Sequence, residues 1–204
     1  MFKKIILAAA LAATASFAQL SFGVHAGGDI NNVWGDDTEN SEAGIGFNFG
    51  GAVKFSLPLL PLTVEANVLA DMRNYTWVVL KSANADFTIT QWNIDIPVLA
   101  RFSPLPIIFI EAGPQFSFNI SQYAEDAAEK EIKTFDDELF GYPMKSFEFD
   151  LVFGAGTGII PLIDVDFRVV LGMTNIFEDK DFGLGKVVVD ASNLQFVLGA
   201  TYWF

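Results

Sequence analysis

The chain has 204 residues, 25 Asp and Glu against 12 Lys and Arg, a net charge of −13 and no cysteine. That balance excludes nucleic acid as a partner, because no basic stripe exists to neutralise phosphates, and a chain that is 51% hydrophobic is too apolar for intrinsic disorder. What remains is a strongly acidic chain with a mean hydropathy of +0.37, greasier than an ordinary soluble domain.

Residues 1–18 open on Met1-Phe2-Lys3-Lys4, continue as an uncharged run from Ile5 and end on Ser16-Phe17-Ala18. A basic start, a short apolar centre and small residues at the cleavage site predict a secretory signal peptide, leaving a single domain over 19–204. A membrane anchor is the rival, since no charged residue occurs between Ile5 and Gly28. Polarity opposes it, because Gln19, Ser21, Gly23 and His25 already alternate with apolar residues. With no cysteine there is neither a disulfide framework nor a lipoprotein acceptor. Later greasy stretches such as Leu57–Leu62 and Ile107–Ile110 are too short for a membrane-spanning helix.

From residue 20 onward the dominant period is two, the strand period. Strands are predicted over 20–31, 44–55, 62–73, 87–102, 108–120, 147–159, 163–174 and 194–204. In the first, Leu20, Phe22, Val24, Ala26 and Ile30 oppose Ser21, Gly23, His25, Gly27 and Asp29. In the third, Val64, Ala66, Val68 and Met72 oppose Glu65, Asn67, Asp71 and Arg73, and the last sets Leu194, Phe196, Leu198 and Tyr202 against Gln195, Gly199 and Thr201. The fourth begins with Phe87 and Ile89 on its apolar face and changes parity to Trp92 and Ile94, which predicts a β-bulge near Thr90-Gln91. The connections alternate long and short along the chain, with Ser, Pro and Leu in the short ones. An even number of such segments, each long enough to cross a bilayer on a tilt, predicts an all-β fold: an eight-stranded antiparallel up-and-down transmembrane β-barrel. A soluble barrel of the lipocalin kind would turn its apolar face inward. Here the polar face carries glycines beside single charges, which suits a crowded lumen. The other face is nearly unbroken Phe, Ile, Leu and Val, with Phe22, Phe55 and Phe102 towards the short turns and Tyr75, Trp77, Trp92 and Tyr123 towards the long loops. Two aromatic belts around an apolar band favour the membrane.

Asn93-Ile94-Asp95-Ile96-Pro97-Val98-Leu99 resembles the strand motif of the outer-membrane β-barrel domain family typified by PorT-like proteins. Glu111-Ala112-Gly113-Pro114-Gln115, and Gly154-Ala155-Gly156 before Asp166-Phe167-Arg168, follow in family order. The likeness covers essentially the whole of 19–204, and implies a small outer-membrane barrel with long surface loops. It carries no catalytic motif onto this chain. Pro97 removes one ladder hydrogen bond, so its strand should bend or carry a local irregularity.

Asp29, Lys54, Glu65, Asp71, Arg73, Asp95, Arg101, Glu111, Glu148, Asp150, Asp164, Asp166 and Arg168 fall on the inward parity. With eight strands the interior is only wide enough for side chains to fill it. The expected arrangement is a buried charge network with carboxylates gathered around Lys54, Arg73, Arg101 and Arg168. The competing reading is a narrow porin-like pore for small solutes or cations, lined by the surplus acids. His25 is the only histidine, and neither a Gly-x-Ser-x-Gly elbow nor zinc-ligand spacing accompanies it. It reads as a structural lumen residue, and the chain as no enzyme, with no cofactor and no metal centre. Loop 32–43 carries Asp36, Asp37, Glu39 and Glu42, and loop 121–146 is also acid-rich, with a short helix predicted over Ala124–Lys133. Solvated loops are the plainer reading. Divalent-cation bridging to lipopolysaccharide, or a site for an extracellular or envelope protein partner, is the sharper one. Tyr202 and Phe204 in the terminal Tyr202-Trp203-Phe204 resemble the signature by which barrel insertion machinery recognises its clients.

Overall fold

The computed structural model describes residues 19–35, 41–57, 60–80, 85–126, 131–132, 138–139, 142–143, 145–176, 180–181, 186–187 and 191–204. The predicted signal segment 1–18 and the loop acids Asp36, Asp37 and Glu39 lie outside them. Alternating, Phe- and Val-rich sequence becomes eight long strands: β1 (Gln19–Trp34), β2 (Ser41–Leu57), β3 (Leu62–Leu80), β4 (Ala85–Leu105), β5 (Ile108–Asp126), β6 (Phe147–Ile160), β7 (Ile163–Asn175) and β8 (Ser192–Trp203). Each pairs antiparallel with its neighbours in sequence, and β1 pairs with β8 from Gly23↔Trp203 to Trp34↔Ser192. The sheet therefore closes as the expected eight-stranded barrel and leaves no edge among these strands.

The short turns, at 60–61, 106–107 and 161–162, lie at one end with Gln19 and Trp203. In the last of them Leu162 has φ 65°, a left-handed conformation that favours glycine. At the other end the barrel wall is uneven. With 19, 21 and 19 residues, β3, β4 and β5 are about twice as long as the ~9–11 residues a spanning strand needs, and they project towards the long loops. Glu131–Ile132 pairs back onto Ala124 and Glu125 of β5. The helix predicted over Ala124–Lys133 is thus replaced, in its described residues, by strand. The reason is that β5 continues its ladder with β4 up to Phe87↔Asp126, which removes Ala124–Asp126 from any helix.

Two further details differ from the sequence reading. β4 has no slip at Thr90-Gln91: its register with β3 runs unbroken through Arg73↔Gln91 and Tyr75↔Ile89. The extra residue lies on β5, between Asn119 and Ser121, opposite Trp92 and Asn93. Ile89 accordingly points inward and is buried, as is Tyr75, which the sequence pattern places in the loop-side aromatic belt. The loop-side end of the lumen is apolar, so polarity misreports parity there. Pro97 keeps register with Gln115 of β5, but the β3–β4 ladder is interrupted beside it, between Ala66↔Val98 and Leu69↔Asp95, without a bulge.

The burial pattern is that of a soluble protein turned inside out. Ile45 is 76% exposed, and Phe22, Phe49, Val68, Ile110, Phe167 and Leu198 are exposed with it, while most charged strand residues are buried. Aromatic pairs mark the outer surface, among them Phe47 edge-on to Trp92 at 5.7 Å and Phe118 against Phe147 at 5.3 Å. Only a lipid surround makes that outer face favourable.

Candidate functional site

The inward faces build a lumen in three layers. Towards the loops, β3 supplies Asp71 and Arg73, β4 Gln91 and Asp95, β5 Gln115 and Ser117, and β6 Glu148 and Asp150. Arg73 lies at the centre: its Nε meets Asp71 Oδ2 at 2.6 Å, Nη2 meets Asp95 Oδ2 at 2.6 Å and Nη1 meets Glu148 Oε2 at 3.2 Å. Amides and a hydroxyl add further hydrogen bonds to the layer. Gln195 Nε2 donates to Asp71 Oδ2 at 3.2 Å, Gln91 Nε2 to Glu148 Oε1 at 3.2 Å, and Ser117 Oγ to Asp150 Oδ2 at 3.0 Å. Asp29 of β1 accepts from Asn31 at 2.7 Å and Asn48 at 3.2 Å. Above, Tyr75 donates to Asn193 Oδ1 at 3.1 Å and packs with Val33 and Ile176 as a lid.

Towards the short turns a second cluster forms around two guanidinium groups. Arg101 meets Glu65 at 2.6 Å, Glu111 at 3.0 Å and Asp164 at 2.6 Å; Arg168 meets Asp166 at 2.7 Å, Glu111 at 2.8 Å and Glu65 at 3.2 Å. Shared carboxylates tie β3, β4, β5 and β7 together across the lumen, which no pairwise sheet contact does. At the rim, Lys54 reaches Asp164 at 3.4 Å and lies 4.0 Å from the Trp203 ring. A vestibule of about 140 Å³ opens here, and Lys54, Ser56, Thr63, Arg101, Phe109 and Asp164 are among its lining residues.

Between the clusters lies an apolar layer of Leu99, Val152, Val170 and Val197, all nearly inaccessible. On β4 Leu99 separates Asp95 from Arg101, and on β6 Val152 follows Asp150. The layer therefore divides two charged compartments. All thirteen charged residues assigned to the inward parity thus face the lumen, Asp29 included, but they form two clusters, not one. The layer between them was missed, although Leu99, Val170 and Val197 sit on the inward parity of their strands and could have been read from it. Trp203 was also missed as an inward residue: its Nε1 donates to Asp164 Oδ2 at 2.9 Å. Its neighbours Tyr202 and Phe204 face outward and pack edge-on at 5.6 Å.

His25 shares a hydrogen bond of 2.8 Å between its Nδ1 and Thr201 Oγ1, inside the wall and buried. A Cβ on Gly199 would lie 2.5 Å from His25 Cε1 and 3.3 Å from Asp166 Oδ1, so that glycine makes room for the imidazole. Thr201, His25 and Asp166 are chemically suggestive together. All three side chains are buried.

With this geometry in place, comparison with known proteins decides the family. Residues 15–178 match the model described as outer membrane protein beta-barrel domain. The chain belongs to this family. A solved barrel shares the fold at low identity. Neisserial surface protein A (NspA) superposes with a TM-score of 0.51 and 14% identity over 91% of this chain and 99% of that one. Ail, the attachment invasion locus protein of Yersinia pestis, in complex with the heparin analogue sucrose octasulfate, gives 0.49 and 15% over 91% and 99%. A major outer membrane protein from Thermus thermophilus gives 0.45 and 17% over 91% and 99%. No curated protein matches the chain. Membership of the family implies residence in the outer membrane.

Proposed function

We propose that this outer-membrane barrel is a non-catalytic structural or interaction protein with a closed lumen, which presents acidic loops outward. The observation that carries the reading is the stacking of two ion-pair clusters and an apolar layer in series across the lumen. A solute entering from either end meets a buried guanidinium held by several carboxylates, and displacing it uncovers charges in a medium that solvates them poorly. Recognition is then left to the loops and the lipid-facing wall. In this reading residues 1–18 direct export through the Sec route and Tyr202 and Phe204 are read by the barrel insertion machinery. Lipopolysaccharide and an envelope or extracellular protein are the partners of the acidic loops.

A narrow cation channel is the second reading, favoured by one observation: the loop-side compartment holds more carboxylates than cations. Planar-bilayer recording of the refolded protein separates the two. The closed-lumen reading expects a silent membrane. Reproducible, cation-selective steps that disappear without protein would overturn it.

A further inference from the structure

The turn-side vestibule holds a cation and an anion whose bonding capacity is only partly used. Lys54 Nζ makes one long contact, 3.4 Å to Asp164 Oδ2, and its side chain is 21% exposed. Asp164 Oδ2 also accepts from Arg101 Nη1 at 2.6 Å and from Trp203 Nε1 at 2.9 Å, so all of these contacts fall on one oxygen. Oδ1 receives none of them, on a side chain that is 14% exposed. Arg101 is already shared among Glu65, Glu111 and Asp164. What this cavity of about 140 Å³ offers a ligand is therefore one ammonium and one carboxylate oxygen, with the hydroxyls of Ser56, Thr63 and Ser103 in the same lining.

Size and surroundings restrict what fits. The cavity is well short of the ~300–1,000 Å³ that encloses a drug-sized ligand, so it takes a small polar head whose remainder stays outside. Outside, segments 57–62, 103–108 and 160–162 contain no charged residue, and Leu60, Leu105, Ile107 and Leu162 are exposed at the turns, where a water-facing end carries polar residues. This surface is continuous with the lipid-facing band through Leu62, Phe102 and Ile110, and Pro106 and Ile108 belong both to it and to the vestibule lining. A polar cavity beside apolar turns suits an amphiphile. In an outer-membrane barrel the short turns face the periplasm, where the inner leaflet supplies phospholipids.

We propose that the vestibule binds the head group of a zwitterionic phospholipid that carries a primary ammonium, of the phosphatidylethanolamine class. Asp164 Oδ1 accepts from the ammonium, Lys54 and the neighbouring hydroxyls donate to the phosphate, and the acyl chains lie over the apolar turns. A head with net negative charge leaves the carboxylate unmatched, and a quaternary ammonium has no N–H to donate to it. The bound lipid fixes the turn end of the barrel to the inner leaflet.

The test uses the refolded full barrel in maltoside micelles, titrated with phosphatidylethanolamine, phosphatidylcholine or phosphatidylglycerol of identical acyl chains, with retained lipid read by native mass spectrometry. The ethanolamine lipid is expected to bind about tenfold more tightly than either of the others, the worth of one charge-assisted hydrogen bond. Lys54→Met and Asp164→Asn should each remove that preference, whereas Glu148→Gln in the loop-side cluster should keep it; heat-modifiable gel migration checks that each variant is folded. Free glycerophosphoethanolamine, which lacks the chains, should bind more weakly than the lipid. Equal affinity of the unmodified barrel for the three lipids would overturn the proposal without recourse to any variant. A preference that persists in both Lys54→Met and Asp164→Asn would overturn it as well. So would free glycerophosphoethanolamine binding as tightly as the lipid, which would make the vestibule a site for a soluble zwitterion.

Discussion

Replacing Arg73 with methionine is the sharpest probe of the loop-side cluster. The side chain is 0% exposed and contacts three carboxylates at 2.6, 2.6 and 3.2 Å, with Ser117 Oγ a further acceptor at 3.3 Å. Methionine keeps most of the aliphatic stem and removes only the charge and its donors. Removing one partner of a buried pair costs about 3–5 kcal/mol, and here three acids lose their common partner together, which places the expected loss near ~5 kcal/mol. Arg73→Lys retains the charge but not the fork that reaches three directions, and should lose about 2 kcal/mol, the worth of one or two charge-assisted hydrogen bonds. Urea unfolding of the refolded barrel by tryptophan fluorescence, with heat-modifiable gel migration as the check on folding, reads both. The combination Arg73→Met, Asp95→Asn, Glu148→Gln should recover more than half of the loss, because the stranded charges are gone. If Arg73→Met costs less than about 1 kcal/mol, or the triple variant is no more stable than the single one, the cluster does not organise this compartment.

Three other outcomes follow from the geometry. Phe49→Arg places a charge on the exposed outer face of β2 and should destabilise the barrel in lipid vesicles by about 2–4 kcal/mol; an unchanged urea midpoint would remove Phe49 from the lipid band. Gly199→Ala drives a methyl into the His25 ring and should cost about 1–3 kcal/mol, most of it restored by adding His25→Ala; a neutral single variant would show that the imidazole is free to move. Leu162→Gly relieves a left-handed leucine worth about 1–2 kcal/mol against a smaller entropic cost of the glycine, so the unfolding midpoint should rise slightly, and a fall would mean that the leucine side chain anchors the turn.

The strand count, the closure and the inward identity of the charges were legible because one residue in two must face lipid and the other must not. That alternation is enforced along Leu62–Met72 of β3 and Leu194–Phe204 at the end of β8, where a slip of one residue would put Asp71 or Gln195 in the bilayer. It weakens wherever both faces are apolar. Ile89 and Tyr75 lie towards the loop-side end of the lumen, where Val33 and Ile176 pack with Tyr75, and there parity read from polarity assigns both residues to the wrong side. Trp203 was obscured in the same way by the aromatics on either side of it. The division into two clusters was beyond the pattern altogether. Which acids share Arg73 and which share Arg101 depends on the stagger between strands, and the extra residue of β5 helps to set it. A list of inward residues does not contain that stagger.

The acidity and the greasiness of the composition are therefore reconciled by position and not by average. The wall assigns its Phe, Ile and Leu outward and its carboxylates inward, and the ion pairs then do more than neutralise. Arg101 and Arg168 sharing Glu65 and Glu111 connect strands that are not hydrogen-bonded to one another, such as β3 and β7, and Arg73 links β3 to β6 through Glu148. An empty barrel would owe its cross-section to the backbone ladder alone. This one is braced from within, so a change in the lumen should act on the stability of the whole wall.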